Sequence, residues 1–365
     1  MSENRERAAP GRGRIDAMEM LDPIACYRAV QTRDARFDGR FFTAVLTTGI
    51  YCRPVCPART PKVDNCRFYP SAAAAQEGGF RPCLRCRPEA APDLAVWRGT
   101  SNTVSRGLTL IADGALDGDD ASVDALAGRL GVGERQLRRL FKQHLGASPV
   151  AVAQTRRVLF AKQLLHETRL PMAEVALAAG FSSIRRFNET FQALYGRPPR
   201  DLRRQAVASD QPEGSVAQDG IRLRLRYRPP LDWPDLLSAI SAQADPAEQV
   251  GEGRWQRRLP DGGEVTVTCL PDQHALQAVI RTADIRTLSA IASRLRRRFD
   301  LSADMPTINA HLSLDPVLAP LVAACPGRRV PAPWDGALPP SSPTGKRQWE
   351  PWGAYARRHI TGPLP

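Results

Sequence analysis

This sequence predicts a multidomain α+β protein, and three observations predict it. Four of its eight cysteines fall in two close pairs, Cys52-x3-Cys56 and Cys83-x2-Cys86, with 26 residues between the pairs. A pattern of glycines and apolar residues recurs 49 or 50 residues apart between positions 127 and 199. Beyond residue 220, apolar residues alternate with arginines at the period of a half-buried strand. The architecture expected is a small zinc-binding α/β domain over 21–92, an all-α double helix-turn-helix domain over 100–205 and an α+β sandwich over 219–336. A disordered tail (1–20), a polar linker (206–218) and a short C-terminal remnant (337–365) complete the division.

The chain has 365 residues, room for two or three domains, and 42% of them are hydrophobic, enough for packed cores. Lysine and arginine outnumber acidic residues 51 to 38, and a net charge of +13 points to an anionic partner. No run approaches the ~20 apolar residues of a membrane span. Residues 1–14 are polar and arginine-rich, without the apolar centre of a signal peptide. A cytoplasmic location, away from any membrane, is the expectation.

In the first unit, Phe41 to Leu46 reads as a strand leading into the first cysteine pair, and Ser71 to Glu77 as an alanine-rich helix before the second. Paired knuckles of this spacing let four thiolates meet around one tetrahedral zinc ion. Two disulfides, or four unrelated core thiols, are the alternatives; nothing in the sequence suggests an oxidising compartment, which favours metal. Cys26 and Cys66 lie outside the pattern and read as small buried apolar residues. Arg53, Arg59, Lys62, Arg67, Arg81, Arg85 and Arg87 crowd the knuckles, which suits a phosphate-bearing partner and reactive thiolates.

Thr47 to Cys56 and Gly79 to Cys86 together resemble the N-terminal domain of the Ada DNA-alkylation-response family, a likeness covering about residues 22–88. The resemblance implies that Cys52, the first cysteine, accepts a methyl group from a DNA methylphosphotriester. Cys52, Cys56, Cys83 and Cys86 are then the zinc ligands, and Arg59, Arg81 and Arg85 fall where the family contacts DNA phosphates.

The second unit rests on the repeat. Leu137, Phe141, Gly146 and Pro149 correspond to Phe187, Phe191, Gly196 and Pro199, and Ala127 and Gly131 to Ala176 and Gly180. Each copy is a short helix, a turn at glycine and a second helix, the sequence form of helix-turn-helix. Val123, Leu126, Ala127 and Leu130 form one inner face, and Val175, Ala176 and Ala179 the other. The second helices bury Leu137, Leu140 and Phe141, and Phe187 and Phe191. That leaves Arg135, Gln136, Arg138, Arg139 and Lys142 outward in the first copy, and Ser182, Ser183, Arg185, Arg186 and Asn188 in the second. These side chains bond base edges and phosphates in a major groove. Residues 150–166 read as one long helix holding the two reading helices about one DNA turn apart, ~34 Å. The run from Val175 to Pro199 resembles the AraC transcription-factor family, over about residues 105–204. A zinc domain followed by an AraC-type domain is also the order seen in Ada proteins.

The third unit opens with the strand Ile221, Leu223, Leu225, Tyr227 and continues with a helix from Trp233 to Ala242. Strands follow near 255–259, 265–269 and 275–280, then an amphipathic helix over 285–299 with Leu288, Ile291, Ala292, Leu295 and Phe299 inward. The order β-α-β-β-β-α predicts a small sandwich. Tyr227 to Trp233 and Arg329 to Gly336 resemble the N-terminal domain of AlkA-type 3-methyladenine DNA glycosylases. In that family the Trp-Asp-Gly stretch leads into a helical catalytic domain that flips out the damaged base. Here 29 residues follow Gly336. Trp349 to Ala356 resembles the family's last helix, and Trp349, Trp352 and Tyr355 are expected to form a partly stranded apolar patch. Glycosylase activity is not expected.

The function expected is a DNA alkylation-damage response. A zinc-bound cysteine takes up a methyl group once, and the helix-turn-helix pair regulates repair genes by binding promoter DNA and engaging RNA polymerase. The alternatives are a transcription regulator whose zinc is structural only, and the remnant of a bifunctional regulator and 3-methyladenine DNA glycosylase without glycosylase activity.

Overall fold

The computed structural model describes residues 21–91, 102–118, 121–206, 220–335, 349 and 351–362. The expected tail, positions 207–218 of the expected linker and the Pro339–Gly345 join lie outside the described residues.

The first unit begins with helix α1 (Pro23–Thr32), started by Asp22, whose carboxylate accepts from the Ile24 and Ala25 amides. Strands β1 (Phe42–Val45), β2 (Ile50–Cys52) and β3 (Cys66–Tyr69), helix α2 (Ala72–Glu77) and the short β4 (Arg81–Pro82) follow. The sheet order is β3-β1-β2-β4, antiparallel except for the parallel β2–β4 pair. Ser71 caps α2 through the Ala74 amide, and Ala73, Ala74 and Ala75 are buried, which is why that helix is alanine-rich. Cys26 and Cys66 are buried, as expected for apolar core thiols.

The helical unit comprises α3 (Asn102–Ala112), α4 (Val123–Leu130), α5 (Glu134–Leu145), α6 (Pro149–Glu167), α7 (Met172–Ala178), α8 (Ile184–Tyr195) and α9 (Pro199–Ala206). The expected inner faces are buried: Val123, Leu126, Ala127, Leu130, Leu137 and Phe141 in the first copy, Val175, Ala176, Ala179, Phe187 and Phe191 in the second. Leu140 is only half-buried. The connector α6 buries residues on more than one face, from Ala153 to Leu165, because α2, α3, α7, α9 and the next unit's first strand all pack on it.

The third unit is β5 (Ile221–Arg226), α10 (Trp233–Ser241), β6 (Glu248–Gly251), β7 (Arg254–Arg258), β8 (Glu264–Leu270), β9 (Ala275–Arg281), α11 (Leu288–Arg298), α12 (Met305–Leu312), α13 (Ala319–Ala324) and α14 (Gly353–Thr361). Its sheet is antiparallel throughout, in the order β5-β9-β8-β7-β6. Two expectations are corrected. The sheet has a further edge strand, β6, whose residues Glu-Gln-Val-Gly carry no apolar alternation. It is held partly by Glu248, buried and ion-paired with the buried Arg298 at 2.5 Å. Trp352 and Tyr355 are not stranded: α14 packs them with Met305, Ile308, Leu312, Leu318 and Val322, while half-buried Trp349 donates its indole N–H to Asp315 at 2.7 Å.

Charged ties join the three units. Glu77 on α2 accepts from Lys142 Nζ at 2.8 Å and from the Ser148 hydroxyl at 2.8 Å. A side chain at Gly146, which has φ +69°, would press on Pro70 and Ala74 at 3.0 and 3.1 Å, so the close approach and the backbone both call for glycine. Asp304 receives Arg40 of the first unit at 3.2 Å and Arg228 of its own at 2.8 Å. Arg297 reaches Asp113 at 2.7 Å.

Candidate metal centre and nucleic-acid surface

Strand pairing brings the two cysteine pairs together. Cys52 ends β2 opposite Thr43. The parallel strand β4 runs beside it, with the Arg81 amide on the Gly49 carbonyl at 2.8 Å and the Cys83 amide on the Tyr51 carbonyl at 3.0 Å. Cys83 is thereby set beside Cys52, and the tight turns after each strand return Cys56 and Cys86 to the same point. All four Sγ atoms lie within 4.8 Å of one another. Arg53 ties the knuckles from below: its Nε donates to Asp38 at 2.8 Å, its NH2 to the other Asp38 oxygen, and its NH1 to the Cys86 carbonyl at 3.1 Å.

The donor set fits a zinc ion. Sulfurs at ~2.3 Å from one tetrahedral centre would stand ~3.8 Å apart, within the spread seen here. Hydrogen bonds with Cys56, Cys83 and Cys86, followed by burial, push the Cys52 thiol far up, while those from Cys52, Cys56 and Cys86 drive Cys83 far down. Cys56 is drawn down to about 7, first by Cys52. Four sulfurs this close cannot all ionise without a cation among them, so the cluster asks for one. Backbone N–H groups prepare for thiolates: Arg53 N–H donates to Cys86 Sγ and Arg85 N–H to Cys83 Sγ, each at 3.4 Å, and the Ala58 backbone helps lower Cys56. No backbone N–H donates to Cys52 Sγ among the described residues. Cys83 and Cys86 are buried, whereas Cys52 and Cys56 keep partial exposure.

Comparison with known proteins accounts for this architecture. Residues 25–89 match the family model for the metal binding domain of Ada, 126–205 a helix-turn-helix domain and 222–335 the AlkA N-terminal domain. The chain carries an Ada-type zinc-binding domain, a helix-turn-helix domain and an AlkA N-terminal domain. It is 44% identical over 317 residues to a probable bifunctional transcriptional activator/DNA repair enzyme AlkA of Mycobacterium tuberculosis, covering 86% of this chain and 63% of that protein. The chain thus spans less than two thirds of that curated relative. It is 36% identical over 131 residues to the bifunctional transcriptional activator/DNA repair enzyme Ada of Escherichia coli, 36% of this chain and 35% of that one. A crystal structure of a methylated N-Ada/DNA complex is 34% identical, covering 38% of this chain and 99% of that one, with a TM-score of 0.19.

Around the Ada-type sulfur centre the seven basic residues divide. Arg53 and Arg87 are structural, the first on Asp38, the second on Glu167 at 2.6 Å and Glu89 at 3.1 Å. Arg81 is half-buried with its guanidinium 5.7 Å from the Tyr195 ring centroid, at the end of α8. Arg59, Lys62, Arg67 and Arg85 are exposed and make no ion pair among the described residues, Arg67 donating instead to the Cys66 carbonyl at 3.0 Å. In the helix-turn-helix domain Arg135, Arg138 and Arg139 are exposed on α5 and Arg185 and Arg186 on α8, while Gln136 and Ser182 are half-buried. Ser183 is the N-cap of α8, its hydroxyl accepting from the Arg186 amide at 3.2 Å. Arg138 and Arg185 each lie against a glutamate on their own helix, Glu134 and Glu189. Asp38, Glu89 and Lys162, which brace the knuckles from outside the ligand set, escape sequence reading. Their only sequence mark is Lys162 sharing the helical spacing of Val158 and Leu165, apolar positions of the inner face.

Proposed function

We propose that this chain is a DNA alkylation-damage response protein in which Cys52 takes a methyl group from a DNA methylphosphotriester and the helix-turn-helix pair converts the event into gene regulation. The observation that carries the reading is the asymmetry among the four sulfurs. Cys83 and Cys86 each receive a backbone N–H at hydrogen-bond distance, which spreads their charge and blunts their nucleophilicity, and the Ala58 backbone helps lower Cys56. Cys52 receives none and is partly exposed. Zinc, when bound by Cys52, Cys56, Cys83 and Cys86, would hold all four as thiolates at neutral pH.

The Cys52 sulfur lone pair attacks the methyl carbon as the methyl C–O bond breaks. That bond's electrons stay on the departing oxygen, leaving a phosphodiester anion on DNA and a thioether at Cys52. No proton moves, so no general base is required. Arg59 and Arg85, exposed beside the centre, are placed to hold the neighbouring phosphates and keep the methyl in line. Nothing here returns the thioether to a thiol, so each chain reacts once. The centre becomes one unit less negative, its repulsion from DNA falls, and affinity rises on the scale of about one counterion. Arg135, Gln136, Arg139, Ser182, Arg185 and Arg186 then read promoter DNA, with Ser183 setting the start of α8. Activation in turn engages RNA polymerase, in the cytoplasm.

The test is stoichiometry. Duplex carrying a single methylphosphotriester, followed by phosphorus NMR, should lose that signal at one equivalent per zinc-loaded chain and then stop. Undiminished triester, with DNA bound and zinc in place, would support the plain regulator whose zinc is structural.

A further inference from the structure

The contacts that leave the second knuckle and its flanks (Arg81 to Glu89) converge on the helices that hold and read DNA. Lys162, on the connector α6, is completely buried; its ammonium donates to the Cys83 carbonyl at 2.8 Å and to Glu89 at 2.7 Å. Arg87, next to Cys86, donates to Glu167 at the end of the same helix at 2.6 Å. Gln163 and Glu167 bond each other at 3.0 Å and tie the turn together. Arg81 stacks on Tyr195, the last residue of α8. Lysine is seldom buried to this degree, and an ammonium taken out of water needs a counter-charge and hydrogen-bond acceptors. Lys162 has both: Glu89 supplies the charge, and the carbonyl of Cys83, a residue of the sulfur centre, supplies the second acceptor.

We propose that Lys162 is a positioning residue that couples the sulfur centre to the DNA-reading helices, an inference that rests on the methyl-acceptor reading above. Uptake of a methyl at Cys52 removes one negative charge from one side of the ammonium and none from the other. The balance shifts toward Glu89, the contact to the Cys83 carbonyl gives way, and α6 re-seats against the second knuckle. Both reading helices are packed on α6 or on helices that adjoin it, so they move with it. Methylation is then read as a change in domain docking as well as in overall charge.

The experiment uses the full zinc-loaded chain and two variants, Lys162→Met and the double variant Lys162→Met/Glu89→Leu, which leaves neither charge unpaired. Zinc content, Cys52 adduct yield and Kd for a duplex selected in vitro are measured before and after methylation. The wild type should tighten by more than the roughly fivefold that one counterion supplies. The variants should keep zinc and adduct yield, yet tighten only by that counterion effect. Equal tightening in wild type and variants overturns the coupling. Hydrogen exchange along α6 of the wild type gives a second reading independent of either variant's folding: a methylation-dependent change around Lys162 supports the proposal, and none overturns it. A wild type that takes no methyl overturns instead the reading beneath it.

Discussion

The two knuckles share one centre but live in different surroundings. The first, Cys52 to Cys56, is partly exposed, with Arg59 and Lys62 exposed nearby, and its leading sulfur lacks a backbone donor among the described residues. The second, Cys83 to Cys86, is buried, receives amide hydrogen bonds and is bolted to α6 and α8 by Lys162, Arg87 and Arg81. In the chemistry proposed here, one knuckle reacts and the other holds. A four-cysteine spacing is symmetric in sequence; burial and hydrogen bonding break the symmetry.

The largest expected effect sets ligand against ligand. Cys83→Ala removes a buried donor and should release zinc and unfold the Ada-type domain. Cys52→Ala should weaken zinc but leave the domain folded, with methyl uptake abolished. Zinc content and amide NMR spectra check both, and equal collapse would erase the distinction between the knuckles. Next is Asp38→Ala, which strands the Arg53 guanidinium between the knuckles and should cost about 2–4 kcal/mol in urea unfolding.

Glu89 gives a smaller, pH-dependent effect. Burial raises its pKa, but the Lys162 ammonium and then Arg87 outweigh this and hold it below the usual carboxylate value. A depressed carboxylate stabilises the fold above its unfolded pKa and loses that contribution as pH falls through the folded value. Wild type should therefore lose more stability than Glu89→Gln as pH drops from about 5 to 3, seen as a narrowing gap in Tm. Smallest is Glu77→Gln at the domain's half-exposed anchor to Lys142, worth under about 1 kcal/mol by the same melt.

Much of this was legible in the chain. The knuckle spacing, the repeat and the alternation of Ile221, Leu223 and Leu225 name local geometry, and local geometry is what sequence records well. The missing pieces depend on partners far away in sequence. β6 is recognisable only from its pairing with β7 and the Glu248–Arg298 ion pair, 50 residues apart. Trp352 and Tyr355 look stranded until α12 and α13 are placed over them. Among the basic cluster, Arg53 and Arg87 look as available for DNA as Arg59 and Arg85 until Asp38 and Glu167 are seen to occupy them.

The proposed chemistry requires that one sulfur of the four be the acceptor. Peptide mapping by mass spectrometry tests it most directly, after zinc-loaded chain has met duplex bearing a methylphosphotriester. The account predicts a gain of about 14 Da confined to the peptide containing Cys52 and fragmenting to that residue. The same gain on Cys56, Cys83 or Cys86, or on none of the four, would contradict it.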